Sequence, residues 1–282
     1  MTRRTGTPSV AVDLVTDNHV HTSLCNHASG TMEEYVLAAL ERGLSAITFL
    51  EHLEAEIRYI ERTWLTDADF ASYFKEGERL RKKYRGRLTI RLGVEVGFNP
   101  RAVEGLRAAL ARYPFEQVGI SYHFFFDGQR HLNMVSRRPE NIAALTALGI
   151  DRILSSYFSG LQEAVRTLDG HILCHLDAGL RHLPDLHLTA GHLAQIDELL
   201  SLLQGNKMLL EINTSGFALR GEPYPARAIL RRALALGIPL ALGSDAHQPS
   251  QVGRFFDKLP AYISGAGQPV DPHAADDVGA PA

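Results

Sequence analysis

Cysteine, long apolar runs and an excess of either charge are all scarce in this 282-residue sequence. Cys25 and Cys174 are its two cysteines. Two are too few for a disulfide framework, so we expect a reduced, cytoplasmic protein with two small buried thiols. No run of about 18 apolar residues occurs, so we expect neither a signal peptide nor a membrane span. The formal net charge of -3 provides no basic field for nucleic acid or an anionic membrane.

Histidine, by contrast, is abundant, and its positions follow a pattern. The sequence contains 13 histidines, and His19, His21 and His27 fall close together after a short apolar segment. Side chains two residues apart on an extended chain point the same way, so His19 and His21 can bind one ion together. His27 lies beyond the following turn and would serve a different position. Because neutral imidazole is the commonest metal ligand, this stretch indicates a metal site.

Short apolar runs alternate with helical patterns along the chain. The segment from Thr31 to Glu34 predicts a helix-capping box, and Gly43 ends the helix that follows it. Alternating strands and helices form parallel βαβ units, and seven of them predict a closed or nearly closed α/β barrel. We expect residues 1–263 to form one barrel domain and residues 264–282 to be a disordered tail. The predicted strands are residues 10–18, 44–50, 88–94, 117–122, 170–174, 207–213 and 238–243, and the predicted helices are residues 31–42, 67–84, 100–113, 139–148, 150–168, 189–203 and 224–236.

Imidazole and carboxylate side chains follow the predicted strands at their carboxyl ends. The active sites of such barrels lie at these ends. The candidate ligands are too many for one ion and about right for two or three, and imidazole with carboxylate suits Zn, Fe or Mn. Several open coordination positions would mark a catalytic cluster rather than a structural one. The candidates are His19, His21, His27, His52, Glu95, His123, His175, Asp245 and His247.

The segments that carry these candidates resemble the motifs of a known superfamily. They are Asp17-Asn18-His19-Val20-His21-Thr22, Phe49-Leu50-Glu51-His52, Gly93-Val94-Glu95, Ser121-Tyr122-His123, Cys174-His175-Leu176-Asp177 and Gly243-Ser244-Asp245-Ala246-His247. Over residues 15–260 the chain resembles the PHP (polymerase and histidinol phosphatase) superfamily. Residues 211–216 and 221–225 are similar to its monofunctional histidinol-phosphatase branch. The resemblance implies a distorted (β/α)7 barrel with a metal site at the C-terminal ends of the strands.

The same resemblance implies a trinuclear centre and assigns the ligands to three divalent ions, whose identity among Zn, Fe and Mn it leaves open. One ion would take His19, His21, Glu95 and Asp245; a second would share Glu95 and add His123 and His175; a third would take His27, His52 and His247. Three ions beside two carboxylates make a positive pocket that attracts a phosphate dianion and activates water, so we expect phosphomonoester hydrolysis. Glu95, Asp245 and His247 are the expected catalytic residues.

The substrate implied by the resemblance is L-histidinol phosphate, an intermediate of histidine biosynthesis. A second reading is a related phosphoesterase for another small phosphomonoester or a nucleotide, because fold alone does not settle function. Two readings of other classes are a nucleic-acid-processing module and a metal-dependent amidohydrolase. The acidic balance argues against the first, and the three-histidine set His27, His52 and His247 argues against the second. We expect a small-molecule substrate and no nucleic-acid or membrane partner.

Substrate contacts are predicted in the loops beyond the strands. Arg220 would bind phosphate or lie in solvent, Arg181 is a second candidate for the phosphate, and His131 would line the mouth of the site. Glu211 and Asn213 would contact substrate or close the barrel layer. Tyr59 and Trp64 would form a lid or join the core.

The remaining polar candidates are expected to support the site or to lie outside it. Glu51 would support a ligand or lie at the surface, Asp177 would orient a ligand or cap a loop, and Ser244 would support the turn that presents Asp245. The histidines expected to be structural or at the surface are His171, His182, His187, His192 and His273.

Overall fold

Strands and helices alternate along the chain in the computed structural model, which describes residues 12–183 and 186–266. Across these residues, every helix is too short or too polar to cross a bilayer. The strands are β1 (Thr16–Val20), β2 (Ala46–Leu53), β3 (Thr89–Gly97), β4 (Val118–Ser121), β5 (Phe124–Phe126), β6 (His131–Asn133), β7 (Ile172–Leu173), β8 (Leu209–Asn213) and β9 (Leu240–Gly243). The α-helices are α1 (Met32–Glu41), α2 (Asp67–Lys83), α3 (Val103–Arg112), α4 (Pro139–Ala147), α5 (Ile150–Thr167), α6 (Ala190–Asn206), α7 (Phe217–Arg220), α8 (Arg227–Ala235) and α9 (Leu259–Ala266).

Seven parallel strands form one sheet in the order β1-β2-β3-β4-β7-β8-β9. The sheet curves until its two outer strands meet at their carboxyl ends. There the His21 N–H donates to the Ala246 carbonyl at 2.9 Å, and the Asp245 N–H donates to the His19 carbonyl at 2.9 Å. The sheet is therefore a nearly closed barrel, which confirms the predicted distorted (β/α)7 fold.

Side chains complete this junction of β1 and β9, which we call the seam. The buried Asp17 carboxylate accepts hydrogen bonds from the Ser244 N–H at 2.9 Å and the Gly253 N–H at 2.8 Å. The Asn18 side-chain amide donates to the Leu242 carbonyl at 3.0 Å. Because buried backbone polar groups need partners, these side chains take the place of the ladder that the two strands do not share.

Capping residues and glycines set the ends of the surrounding helices. The Thr31 hydroxyl accepts from the Glu34 N–H at 3.4 Å and the Glu34 carboxylate accepts from the Thr31 N–H at 2.6 Å, which confirms the predicted capping box. Gly43 and Gly237 follow α1 and α8 with φ of 69° and 68°, a conformation that favours glycine.

A large apolar core fills the space between the sheet and the helices, and a smaller cluster of Leu50, Ile172, Cys174 and Ala241 packs separately. Both cysteines are buried, as expected. A β-carbon on Gly119 of β4 would lie 2.7 Å from the sulfur of Cys174, the residue that follows β7, so a larger residue would not fit at position 119.

The structure departs from the predicted elements after the fourth strand. Residues 124–133, predicted to be part of a loop, form a hairpin in which β5 pairs antiparallel with β6. Strands of three residues are too short to show an alternating pattern.

Two helices begin later than predicted. α3 begins at Val103, because the Asn99 side chain accepts from the Arg101 N–H at 3.1 Å and forms a turn. α8 also begins late, because Tyr224 exchanges two backbone hydrogen bonds with Asn213.

The histidines outside the site divide between the surface and the core. The predicted surface position of His192 is wrong: its side chain is buried at the start of α6, where Nδ1 accepts from the Thr189 N–H at 3.2 Å. His171 is structural as predicted, since Nδ1 accepts from the Val118 N–H at 2.9 Å. His187 is exposed and His182 is partly exposed.

The predicted tail and the first predicted strand extend beyond the described residues. α9 extends to Ala266, so it includes the first residues of the predicted tail. The rest of that tail with His273, and residues 10–11 of the first predicted strand, lie outside the described residues.

Candidate metal centre

Glu95, near the end of β3, lies at the centre of a cluster of imidazoles. Its Oε2 atom is 3.0 Å from His52 Nδ1, 3.4 Å from His19 Nε2 and 3.6 Å from His21 Nε2. Parallel register places His52 of β2 directly beside Glu95 of β3. His19 and His21 come from the end of β1 and the residue after it, and both are completely buried.

The second oxygen of Glu95 faces two further histidines. Oε1 is 2.8 Å from His175 Nε2 and 3.2 Å from His123 Nε2. These residues follow β7 and β4. One carboxylate therefore lies between two groups of nitrogen atoms, which is the geometry expected of a bridging ligand.

Asp245 brings a second carboxylate to the cluster from beyond β9. Its Oδ1 atom is 3.4 Å from His21 Nε2 and 3.5 Å from His247 Nδ1. Asp245 has a φ of 50°, an uncommon conformation for a residue other than glycine. Arg254 supports this turn, because its guanidinium donates to the Ser244 carbonyl at 3.0 Å and to the Asp245 carbonyl at 3.2 Å.

His27, His52 and His247 form a three-histidine group at the edge of the cluster, with His27 exposed and His52 also in contact with Glu95. His27 Nδ1 is 3.0 Å from the Cys25 carbonyl, and His247 Nδ1 is 3.1 Å from the Asp245 carbonyl. Because a carbonyl only accepts, both Nδ1 atoms carry hydrogen and both Nε2 atoms present lone pairs.

The Nε2 atoms of His27 and His247 are 2.8 Å apart. Two lone pairs at that distance repel each other unless a cation lies close to both. At the centre of the cluster, His19 Nε2 is 2.9 Å from His21 Nε2. His19 Nδ1 donates to the Glu211 carboxylate at 2.6 Å, so Nε2 is the nitrogen of this ring that faces His21 and Glu95. The donor set therefore fits metal ions.

Burial and charge decide the protonation of the cluster. Burial opposes the ionisation of Glu95, but the imidazoles of His123, His52 and His19 hold its pKa well below the usual range. Burial, and then the neighbouring imidazoles of His52 and His247, lower the pKa of His21. The bridging candidate is therefore anionic and His21 is neutral, the forms in which carboxylate and imidazole bind metal.

Glu211 and Glu54 support two of the histidines, and Glu54 is absent from the sequence-based candidates. Glu211, in β8, accepts from His19 Nδ1 with one oxygen and from the His175 N–H at 2.7 Å with the other. Glu54 Oε1 is 2.9 Å from His123 Nδ1. Its position two residues after His52 is the signal that could have found it, since such residues share a face of an extended chain.

The predicted substrate residues lie at different distances from the cluster. Arg181 Nη1 is 4.0 Å from Asp245 Oδ2, and its side chain is partly exposed. Arg220 instead binds Asp177, with its Nη1 2.9 Å from Oδ2, and lies over the Tyr224 ring. An arginine held in this way has part of its donor set already occupied.

Asn213 and His131 are both buried and both bind the chain itself. Asn213 Oδ1 accepts from the Ser215 N–H at 3.1 Å, and its amide donates to Glu211 at 3.1 Å. His131 lies in β6, where Nδ1 accepts from the Arg58 N–H at 2.9 Å, so it anchors the loop that follows β2.

The other polar and aromatic candidates also hold loops in place. Asp177 holds the loop that precedes α8 by accepting from the Ala226 N–H at 3.0 Å, which is the loop-capping alternative of its two predicted roles. Glu51 is completely buried and binds Thr22, so the surface alternative for it is wrong. Tyr59 and Trp64 pack on Phe124, with ring centroids 5.1 and 6.0 Å away.

Comparison with known proteins points to one family. The PHP domain family matches residues 17–215. The chain is 32% identical over 252 residues to a "Probable histidinol-phosphatase" of Deinococcus radiodurans, covering 86% of this chain and 90% of that protein. It is 30% identical over 261 residues to the histidinol-phosphatase of Bacillus subtilis, covering 86% of this chain and 96% of that protein.

A solved structure with 20% sequence identity has the same fold. It is a histidinol phosphate phosphatase from Lactococcus lactis, complexed with zinc, L-histidinol and phosphate. The TM-score is 0.72, and the match covers 91% of this chain and 95% of that one. Since the PHP match takes in more than half of the sequence and two relatives align along most of their length, this chain belongs to the PHP domain family.

Proposed function

We propose that this chain is a metal-dependent phosphomonoesterase that hydrolyses L-histidinol phosphate to L-histidinol and phosphate, a reaction of histidine biosynthesis. The observation that carries the proposal is the convergence of imidazoles and two carboxylates around Glu95 at the carboxyl ends of the strands. The choice of substrate rests on the two relatives named histidinol-phosphatase and on the Lactococcus lactis structure, which contains zinc, L-histidinol and phosphate.

Three sets of donor atoms support three divalent ions. The first set is His19, His21, Glu95 and Asp245; the second is Glu95, His123 and His175; the third is His27, His52 and His247. Nitrogen and oxygen donors of this kind suit zinc, iron or manganese. We favour zinc, because it is the metal of the Lactococcus lactis structure.

Divalent ions, when bound, supply positive charge and lower the pKa of water. The residues of the chain provide the setting for that chemistry. Glu95 and Asp245 remain ionised at neutral pH, because the surrounding imidazoles keep their pKa values low against the effect of burial. Glu211 and the Cys25 and Asp245 carbonyls hold particular ring nitrogens toward the cluster, so little rearrangement is needed before reaction.

Arg181 is the arginine best placed to bind the phosphate of the substrate. Its guanidinium lies beside Asp245 and reaches solvent, so it can form charge-assisted hydrogen bonds with an arriving anion. The Arg220 guanidinium already binds the Asp177 carboxylate, and it would bind phosphate only after leaving that carboxylate. Asn213 and His131 would act through the elements that they hold.

Phosphate release from a panel of monoesters tests this proposal. The metal-loaded protein is assayed with histidinol phosphate, nucleotides, sugar phosphates and an aryl phosphate. The proposal requires histidinol phosphate to lead in kcat/KM by orders of magnitude. If it is no better than the aryl phosphate, the substrate assignment fails. Metal analysis of the same sample separates three ions per chain from the one or two of an amidohydrolase.

A further inference from the structure

Glu54 is a buried carboxylate that directly follows β2 and is not among the nine candidate ligands. Its side chain is 2% exposed. One oxygen, Oε1, is 2.9 Å from His123 Nδ1, and Oε2 has no hydrogen-bond partner among the described residues. A buried carboxylate is costly unless it is paired, so the contact with His123 is the interaction that accounts for its position.

The contact fixes which nitrogen of His123 faces the cluster. Since the Glu54 carboxylate accepts the Nδ1 hydrogen, Nε2 is the nitrogen that faces Glu95 Oε1, at 3.2 Å, and it carries the lone pair in the neutral ring that binds metal. His19 has the same arrangement, with Nδ1 on Glu211 and Nε2 toward Glu95 Oε2. A carboxylate behind an imidazole orients the ring and makes its free nitrogen a stronger ligand.

A glycine in the neighbouring strand makes room for each of these carboxylates. A β-carbon built on Gly97 of β3 would overlap Glu54, and its three nearest heavy atoms would all belong to the Glu54 carboxylate. Gly97 has extended strand geometry, which any residue can adopt, so its conformation does not require glycine. In the same way, a β-carbon built on Gly243 of β9 would overlap the Glu211 carboxylate, but it would also approach His19 Cβ at 2.7 Å.

We propose that Glu54 is a positioning residue of the metal centre, which holds His123 with Nε2 toward Glu95, and that Gly97 is glycine to leave space for the Glu54 carboxylate. The inference rests on the proposed function only in requiring that the cluster bind divalent ions. It adds a carboxylate and a glycine that lie outside the nine candidate ligands.

Zinc affinity of the Glu54→Gln variant is the first test. Metal-free protein is titrated with zinc against a chelating dye, and the absorption spectrum of the cobalt-substituted protein is recorded. Loss of one supporting carboxylate weakens metal binding by about 10- to 100-fold, so we expect that loss, a changed cobalt spectrum and an unchanged Tm of the metal-free protein. Glu56→Gln, an exposed position in the same loop, is the control and should bind zinc as the unaltered protein does.

A zinc affinity in Glu54→Gln equal to that of the unaltered protein overturns the proposal. So does an equal loss in Glu54→Gln and Glu56→Gln. If zinc affinity falls as expected while the unaltered protein does not hydrolyse histidinol phosphate, the proposed function fails and the role of Glu54 stands.

A double-mutant cycle tests the role of Gly97. Gly97→Ala should weaken zinc binding in the unaltered background, because the new methyl group displaces the Glu54 carboxylate. In the Glu54→Ala background, which removes that carboxylate, the same substitution should have little further effect. An equal loss in both backgrounds shows that Gly97 serves another purpose and overturns this part of the proposal.

Discussion

Replacing Glu51 with glutamine should flatten the pH dependence of the stability of this protein. Glu51 is completely buried, and its Oε1 accepts from the Thr22 N–H at 2.9 Å and from the Thr22 hydroxyl at 2.5 Å. Burial raises the pKa of this carboxyl from 4.5 to about 8, although the Thr22 bonds oppose the shift. The folded state therefore holds the proton more tightly than the unfolded state does.

The size of the effect follows from this difference in pKa. At about 1.4 kcal/mol per pKa unit, the free energy of unfolding loses about 5 kcal/mol in total. The loss is absent below pH 4.5, where both states are protonated, grows as the unfolded chain ionises, and is complete above the folded pKa of about 8. At pH 7 it amounts to about 3 kcal/mol.

Urea unfolding at several pH values, with excess chelator to remove bound metal, measures this difference. The free energy of unfolding of Glu51→Gln minus that of the unaltered protein should rise by about 3.5 kcal/mol from pH 5 to pH 8. The amide N–H of the introduced glutamine lacks a partner and lowers the free energy of unfolding by about 1–3 kcal/mol at every pH. The test is therefore the slope of the difference against pH, not its absolute value. Glu56→Gln, at an exposed position, should give a flat difference. A flat difference for Glu51→Gln as well would refute the reasoning.

Three further predictions concern the candidate site. Glu95→Gln should lower kcat/KM by about 100-fold or more and reduce bound metal, because it removes a charge that lies between five imidazoles; near-normal rates would contradict this. The ion held by His27, His52 and His247, a set that has no carboxylate of its own, should be the first that a chelator removes. By elemental analysis, His27→Ala should therefore contain about one ion fewer than the unaltered protein, whereas loss of all ions together would count against three separate sets. Arg181→Ala should raise KM for phosphomonoesters by about 10-fold, while Arg220→Ala, which frees Asp177, should lower Tm with a smaller change in KM; identical kinetic effects would show that the two arginines play the same role.

The barrel and the ligand residues were largely predictable from the sequence, for a physical reason. Buried parallel strands are short continuous apolar runs, and each run here is followed by polar residues that have no place in a core. Glu95 and His123 follow such runs directly, so their meeting at one edge of the sheet needs only parallel pairing.

The supporting residues were harder to predict, because their partners are fixed by tertiary structure. Arg254 binds two backbone carbonyls, and no sequence pattern identifies such acceptors. The sequence predicts Arg220 as a phosphate ligand, but it binds an aspartate 43 residues earlier in the chain. The sequence predicts a surface position for His192, whereas its ring accepts from the Thr189 N–H at the start of its own helix.

The seam has a consequence for how the protein is made. Asp17 and Ser244 are 227 positions apart, so the contact between them must wait until almost the whole barrel has emerged from the ribosome. His19 and His21 lie on one side of that junction, and Asp245 and His247 lie on the other. Closing so long a segment is entropically costly, and metal binding offsets that cost only after both sides have met. A nascent chain that stops short of β9 can form strand pairs, but it lacks Asp245 and His247, so two of the three proposed ligand sets remain incomplete.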